Sequence, residues 1–334
     1  MRPIEKIIIP CYGPDLWLLR ICVASIRYWY PDIPIGLLKD HGDFDTFELE
    51  KYFGVHLVVE ATVPQGFWNK LSALYGPGRQ RILLLDSDTV FLGPVLAKLE
   101  SWDEDFVVEW EGAGPLSEAE KVRYAADGYF DLPALRRAFP DYEAPDYFFN
   151  AGQIVLTTGL LQPTDFASFL TETNPPQLRQ PRLFKRYDQS LLNFVLAEKK
   201  RQGLCSVRQE HFVVWGTSEI ALTLSLEQMA RRQGYPMLFH WAAAKPYFKA
   251  AFRRGDILHF YENYYYSRIP LGEGKRWYRL WRRHCVRQTP QLRRIWKMKG
   301  QKVDFIKLMR AEKNPGPREN LEAGLTASQS YPRP

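Results

Sequence analysis

Two aspartates one residue apart, Asp86 and Asp88, follow directly on the apolar run Ile82-Leu83-Leu84-Leu85. An apolar run this short reads as a buried strand. Carboxylates at the end of such a strand, separated by one small residue, sit at the mouth of a sheet and can share one hard divalent cation, and with it a diphosphate. An acidic pair around a serine is also ordinary turn chemistry, each side chain bonding its own backbone. Here Thr89-Val90-Phe91-Leu92 follows at once and ends at Gly93-Pro94. The pair therefore interrupts buried structure, where unpaired charge is costly unless a cation compensates it.

The elements that must position this pair follow from periodicity. Ile7 to Pro10 reads as a strand. Asp15 to Tyr30 reads as a helix, with Leu16, Leu19, Val23, Ile26 and Tyr30 at three- and four-residue steps and Pro31 as its stop. Then come a strand over 35–38, a helix over 44–53, a strand over 55–59, a helix over 67–75 and the strand over 82–85. Alternation of this kind implies parallel strands with right-handed crossovers and helices on both faces, and ligands bind such sheets at the carboxyl ends of the strands. Further on, 106–110 reads as a strand. Residues 112–145 read as loop with one short helix over 132–139, a place for substrate-specific segments. A strand over 147–156, helices over 165–171 and 188–197, and a short strand over 236–240 complete the pattern.

The chain has 334 residues, 46% of them apolar and 14% aromatic, enough for one large domain with an appendage or for two modest domains. No stretch approaches the roughly 18 apolar residues of a membrane span. The start, Met1 to Pro10, is too short and too soon broken for a signal peptide, so the expected location is the cytoplasm. Cys11, Cys22, Cys205 and Cys285 show no metal or disulfide spacing and read as reduced thiols. The net charge of +7 is unevenly divided: residues 275–310 hold thirteen Lys or Arg against one acid, Asp304, or +12. The remainder then carries 32 basic and 37 acidic residues, or −5. A body of acidic balance is not built to lie along nucleic acid, whereas a basic, Trp-bearing tail suits an anionic surface.

Three further segments follow the aspartates: Phe148-Phe149-Asn150-Ala151-Gly152, Tyr187-Asp188-Gln189-Ser190-Leu191-Leu192-Asn193, and Phe239-His240-Trp241-Ala242-Ala243-Ala244-Lys245-Pro246-Tyr247. In this order, over about residues 4 to 250, the set resembles the nucleotide-sugar glycosyltransferases of the GT-A fold, and most closely glycosyltransferase family 8. That family includes the glycogenins and the bacterial lipopolysaccharide galactosyl- and glucosyltransferases. The resemblance implies an α/β domain over 1–265 with a Rossmann-like mixed sheet flanked by helices, a basic aromatic helical segment over 266–313, and a disordered tail over 314–334. It implies Mn²⁺ or Mg²⁺ held by Asp86, Asp88 and His240 against the donor diphosphate, with Lys245 neutralising the same phosphates. Asn150 and Gly152 border the donor sugar, and Lys70 and Ser87 lie close to the donor. Tyr12 and Asp40 close the first two strands beside the nucleotide base. Asp188 and Gln189 are the implied catalytic pair, meeting sugar hydroxyls and the anomeric carbon. The chain departs from the family pattern in three places: four residues rather than five separate His240 from Lys245, Tyr247 replaces a tryptophan, and Ala151 replaces a serine.

The implied reaction is transfer of a hexosyl group, UDP-linked, to a saccharide or glycolipid acceptor. Some family members carry an acid where this chain has Ser190, so a covalent intermediate there is excluded and same-face substitution with retention is expected. Trp277, Leu280, Trp281 and His284 fall at helical spacing among Arg276, Arg279, Arg282, Arg283 and Arg287, which predicts peripheral attachment to an anionic membrane through 275–310. Three other readings compete: an inverting GT-A enzyme, a non-catalytic carbohydrate-binding scaffold of the same fold, and a sugar-phosphate nucleotidyltransferase. The last normally opens with a Gly-rich loop, and Pro10-Cys11-Tyr12-Gly13-Pro14 offers one glycine.

Overall fold

The computed structural model describes residues 2–39, 44–58, 69–76, 78–110, 115–173, 175–185, 187–242 and 252–288. The backbone runs through β1 (Lys6–Cys11), α1 (Leu16–Trp29), β2 (Ile35–Lys39), α2 (Phe47–Phe53), β3 (Val55–Leu57), α3 (Asn69–Ser72), β4 (Arg81–Leu85), β5 (Thr89–Phe91), α4 (Leu96–Glu100) and β6 (Phe106–Glu109). It continues through α5 (Glu118–Gly128), α6 (Leu132–Ala138), β7 (Gln153–Thr157), α7 (Pro163–Ala167), α8 (Tyr187–Arg201), β8 (Val207–Glu210) and β9 (Val213–Trp215). Last come α9 (Ile220–Thr223), α10 (Leu226–Ala230), β10 (Leu238–His240), α11 (Gly255–Ser267) and α12 (Gly272–Gln288).

A seven-stranded mixed sheet in the order β3-β2-β1-β4-β7-β6-β8 forms the centre. β1 to β4 are parallel neighbours wherever they pair in this sheet, whereas β7 runs antiparallel to both β4 and β6. The alternation rule thus holds for the first half of the sheet and fails at β7, which enters from the long insertion after β6. Successive residues of β4 explain their unbroken apolarity. Ile82 and Leu84 join one core with Ile8, Val108 and Ile154, while Leu83 and Leu85 join the opposite core with Ile7, Val107 and Val155. Both faces are covered, so these four positions must be apolar, and the buried Arg81 that precedes them donates instead to the Trp102 and Glu104 carbonyls.

A second, three-stranded sheet has the order β5-β10-β9. It packs its own apolar cluster, Val90, Val214 and Phe239 with Leu258 and Tyr261 of α11, and α11 lies along α1. The two sheets are joined by the chain itself: β4 ends, the backbone turns through Asp86-Ser87-Asp88 with Thr89 N–H donating to the Asp86 carbonyl (3.1 Å), and β5 begins. The turn is a corner between layers. Just beyond it the backbone passes another at van der Waals range: a Cβ on Gly93 would lie 2.3 Å from the Tyr235 carbonyl, and one on Gly234 2.1 Å from that of Leu92. Only glycine permits this crossing, which leads β10 alongside β5.

Three expectations from the sequence shift. The strand over 147–156 begins only at Gln153, because the Asn150 side chain accepts from Gly152 N–H (2.7 Å) and folds the preceding residues into a loop. The helix over 44–53 begins at Phe47, since Phe44 is buried in the core below. Within the stretch read as loop, α5 spans eleven residues behind a reciprocal cap: Ser117 N–H donates to Glu120 (2.9 Å), and Glu120 N–H to the Ser117 hydroxyl (3.4 Å). Residues 1–276 form one compact unit, and Trp277 onward belongs to another.

Asp105, just before β6, accepts from the backbone and hydroxyl of Ser206 (3.0 and 2.8 Å) at the head of β8. Burial would raise its pKa, but these bonds and Arg2 more than offset that and hold the carboxyl below its ordinary range. A depressed folded-state pKa contributes stability that is present above the unfolded value, near 3.9, and lost as pH falls through the lower folded value. Urea unfolding of wild type and Asp105→Asn should therefore differ at pH 7, and the gap should close below about pH 4.

Candidate active site at the corner between the sheets

Each member of the site is carried to the corner by a different element. Asp86 and Asp88 occupy the turn after β4, and Asp86 N–H donates to the Gly152 carbonyl (2.7 Å) at the head of β7. His240 ends β10, where it pairs with Thr89 across the antiparallel ladder with β5. Its Nε2 lies 3.2 Å from Asp88 Oδ1, and both side chains are almost fully buried. One ligand atom from each of Asp86, Asp88 and His240 falls within 4.8 Å of the others. The second sheet is what brings residue 240 to residue 88.

This donor set fits a divalent cation on three counts. Two carboxylates and an imidazole suit Mn²⁺ or Mg²⁺. Asp88 and His240 are 6% and 3% exposed, and Nδ1 of His240 is buried with no hydrogen-bond partner among the described residues. Gly152 lets the Asp86 carboxylate pack directly on the backbone, since a Cβ there would stand 2.5 Å from Asp86 Oδ2 and 2.7 Å from Asn150 Oδ1.

Next to this group lies a built-in cation. Lys70 on α3 places its ammonium 2.8 Å from Asp86 Oδ1 and 3.3 Å from Asp188 Oδ2, 12% exposed. Burial alone would lower its pKa, yet the two carboxylates prevail and push it above the ordinary lysine value, so Lys70 is charged. Burial, opposed by Lys70, pushes the Asp188 carboxyl up. Asp188 is the second residue of α8, and the residue before it, Tyr187, has φ of 32°, a left-handed conformation that costs a non-glycine residue about 1–3 kcal/mol. Packing holds that strain in place: Asn193, one turn on, donates to the Phe149 carbonyl and accepts from Phe149 N–H (2.8 and 3.0 Å), locking α8 to the Asn150 loop.

The structure therefore brings together Asp86, Asp88, His240, Lys70, Asp188, Gly152 and Asn150, with Ser87 buried in the same turn. Tyr12 stands at the end of β1, 47% exposed. Asp40 and Lys245 lie outside the described residues. Cys22 of α1 is buried beneath the aspartates; burial first, then the charges of Asp88 and Asp86, raises its thiol well above the usual range and keeps it unreactive.

Gln189 and Asn150 open onto a cavity of about 280 Å³ that the sequence did not reveal. Its other walls are Tyr124, Asp127, Gly128 and Tyr129 from α5 and its end, with Trp215 and Ala242. Trp215 ends β9 and sets its ring 5.1 Å from that of His240. The Ser117-x-x-Glu120 spacing was a legible sign of the helix that carries Tyr124 and Asp127; a three-residue strand ending in Trp215 gave none.

No protein-family model and no curated protein sequence matches the chain. Solved structures do resemble it. One is the bifunctional glycosyltransferase WbbM (TM-score 0.49, 16% identity, 78% of this chain and 50% of that one). Another is the galactosyltransferase LgtC in complex with donor and acceptor sugar analogues (TM-score 0.49, 15% identity, 79% and 97%). A third is the glycosyltransferase GlyE of Streptococcus pneumoniae (TM-score 0.45, 13% identity, 78% and 60%). The chain thus spans half the length of WbbM.

Lys70 is the charge on which Asp86 and Asp188 depend. Lys70→Met strands two carboxylates in a buried site and should cost about 3–5 kcal/mol by urea unfolding. Asp188→Asn placed on the same background should recover part of the loss. A variant as stable as wild type would show the two carboxylates to be hydrated instead.

Proposed function

We propose that this protein is a metal-dependent glycosyltransferase that moves a hexosyl group from a nucleotide sugar, UDP-linked, to a saccharide or lipid-linked acceptor with retention of configuration. The observation that carries the reading is the meeting of Asp86, Asp88 and His240, residues from two sheets and 152 positions apart between His240 and Asp88, within the span of one ion. The order of the four sequence segments supports it independently.

In this reading Asp86, Asp88 and His240 hold Mn²⁺ or Mg²⁺. A divalent cation bound there neutralises the charge that develops on a departing diphosphate. The chain's own groups do the rest. Asn150 offers an amide to the donor sugar, and Gly152, bare of a side chain, holds the Asp86 carboxylate against the backbone beside it. Asp188, held by Lys70, accepts from sugar hydroxyls, and Gln189 faces the cavity from which an acceptor arrives. Tyr12 stacks beside the base. Ser190 is buried and carries no carboxylate, so the transfer has no enzyme nucleophile at that position. The acceptor hydroxyl attacks the face that the diphosphate leaves, its proton passing to the departing phosphate oxygen.

The same reading sends the basic segment 275–310 to an anionic membrane surface on its cytoplasmic side. In support, Trp277 and Trp281 of α12 are 70% and 62% exposed, among arginines each worth about 1 kcal/mol near anionic headgroups. No helix among the described residues is long and apolar enough to cross a membrane.

Two measurements test these statements. Donor hydrolysis across a panel of UDP- and GDP-sugars with Mn²⁺ should be detectable in wild type and reduced at least about a hundredfold in Asp88→Ala; undiminished turnover ends the metal assignment. Truncation after Gly274 should abolish sedimentation with phosphatidylserine vesicles while leaving donor hydrolysis in place, and full binding by the truncated chain would rule out the tail.

A further inference from the structure

A second cavity, of about 490 Å³, lies where the end of α1, the α2–β3 turn and the end of α11 meet. Its described walls share no residue with the candidate active site. Tyr12 stands just before α1 and this cavity at the far end of that helix, whose fourteen residues span about 20 Å. Two guanidiniums, Arg27 and Arg268, one carboxylate, Asp32, and the rings of Tyr52 and Tyr264 line it. Arg27 gives four of its five N–H groups to the carbonyls of Phe53, Tyr30, Ile33 and Gly54, which fixes its place and leaves one donor among the described residues. Arg268 is exposed, with its guanidinium 5.4 Å from the centre of the Tyr264 ring. A simple anion would meet Asp32 beside the two arginines. A ligand of both signs satisfies all three: a phosphodiester accepts from the arginines, while a primary ammonium donates to Asp32 and rests against an aromatic face. At about 30 Å³ per water, the cavity displaces about sixteen waters, room for one such headgroup.

The surface next to the cavity favours a lipid as the source of that group. Leu271, at the corner between α11 and α12, is 82% exposed and has φ of 55°, a left-handed conformation that suits glycine and not leucine. Neither burial nor backbone preference accounts for a leucine here. Lys275 N–H donates to the Leu271 carbonyl (2.9 Å), and the Lys275 ammonium pairs with Glu48 (3.0 Å), the neighbour of Phe47, which is 56% exposed. Lys51 links Phe47 to the Tyr52 wall of the cavity, its ammonium 5.3 and 5.5 Å from the two rings. Exposed apolar side chains, basic residues and a headgroup-sized cavity thus form one continuous face, the composition a protein presents to a lipid interface.

Resting on the membrane attachment proposed above, we infer that this cavity is a subsite for the phosphoethanolamine headgroup of a phospholipid. Arg27 and Arg268 hold the phosphodiester, Asp32 takes the ammonium, and Leu271 and Phe47 enter the apolar layer beside it. Segment 275–310 attaches the chain to anionic lipid, and the cavity then selects among headgroups. A choline headgroup has the same phosphodiester but no N–H for Asp32, and a glycerol headgroup has no cation.

Vesicle binding by the full chain tests this. The vesicles hold a fixed share of phosphatidylglycerol, with the remainder either phosphatidylethanolamine or phosphatidylcholine. Wild type should bind the ethanolamine vesicles roughly tenfold more tightly, the scale of one charged hydrogen bond. Arg268→Gln and Asp32→Asn, both exposed changes, should remove that difference and leave the attachment to phosphatidylglycerol. Leu271→Gly should weaken binding to both kinds of vesicle roughly tenfold without lowering the midpoint of urea unfolding, since glycine relieves the left-handed position; a leucine kept for the fold would not part the two readouts. Glycerophosphoethanolamine, which forms no bilayer, should give saturation-transfer NMR signals with wild type and none with Arg268→Gln. Equal binding to the two kinds of vesicle, or variants that bind as wild type does, overturns the headgroup subsite while the attachment through 275–310 stands. A chain that ignores phosphatidylglycerol yet takes glycerophosphoethanolamine, and loses it in Arg268→Gln, keeps the subsite and removes that attachment.

Discussion

The site is governed by negative charge that the fold buries. Asp86, Asp88 and Asp188 come together where the main sheet meets the second one, and among the described residues Lys70 pairs with two of them. Lys70 bridges Asp86 and Asp188, while Asp88 faces His240. Removing a carboxylate from water costs several kcal/mol unless it is paired, so these side chains are held where their partners lie. The cluster stands at the carboxyl end of β4, where an α/β sheet presents its ligands.

The corner turn gives that affinity its geometry. A single polypeptide leaves the main sheet at Leu85, crosses Asp86-Ser87-Asp88 and enters the second sheet at Thr89. The second sheet has one register consequence for the site: His240 opposite Thr89, beside the acids. The crossing at Gly93 and Gly234 lets the two backbones come close enough for that pairing. His240 is placed by the short ladder of the second sheet, while Asp86 and Asp88 sit in the turn between sheets, Asn150 and Gly152 in the loop before β7, and Lys70 and Asp188 on α3 and α8.

Much of this was legible in the residues. The run Ile82–Leu85 before two aspartates located the strand end, since the apolar residues that resume at Thr89 set the pair between two buried strands. Asn150, Gly152, Asp188 and His240 came from motif order, and the structure puts them within one site. Periodicity failed where short elements draw their stability from tertiary contacts. β9 has three residues, too few to show a period, and was missed for that reason, whereas β10 falls inside the short strand read over 236–240. The start of β7 was misplaced because the Asn150 side chain competes with the ladder for Gly152 N–H, a local contest that hydrophobicity does not report. α5 was overlooked although its capping box was written out, because its apolar positions are few and most of its surface is exposed.

The chain separates its charges by task. Its 32 basic and 37 acidic residues outside 275–310 give a body that repels diffuse anions, and within the site Lys70 is a cation set among acids. Across the wall formed by Asn150, Gln189 and Trp215, the described lining of the cavity carries one acid, Asp127. A unit charge a few ångströms from another is worth about 4 kcal/mol at the intermediate dielectric of such a cleft. Charge is therefore handled residue by residue here: Lys70 answers Asp86 and Asp188, and Asn150 and Gln189, amides without net charge, line the cavity that Asp127 shares.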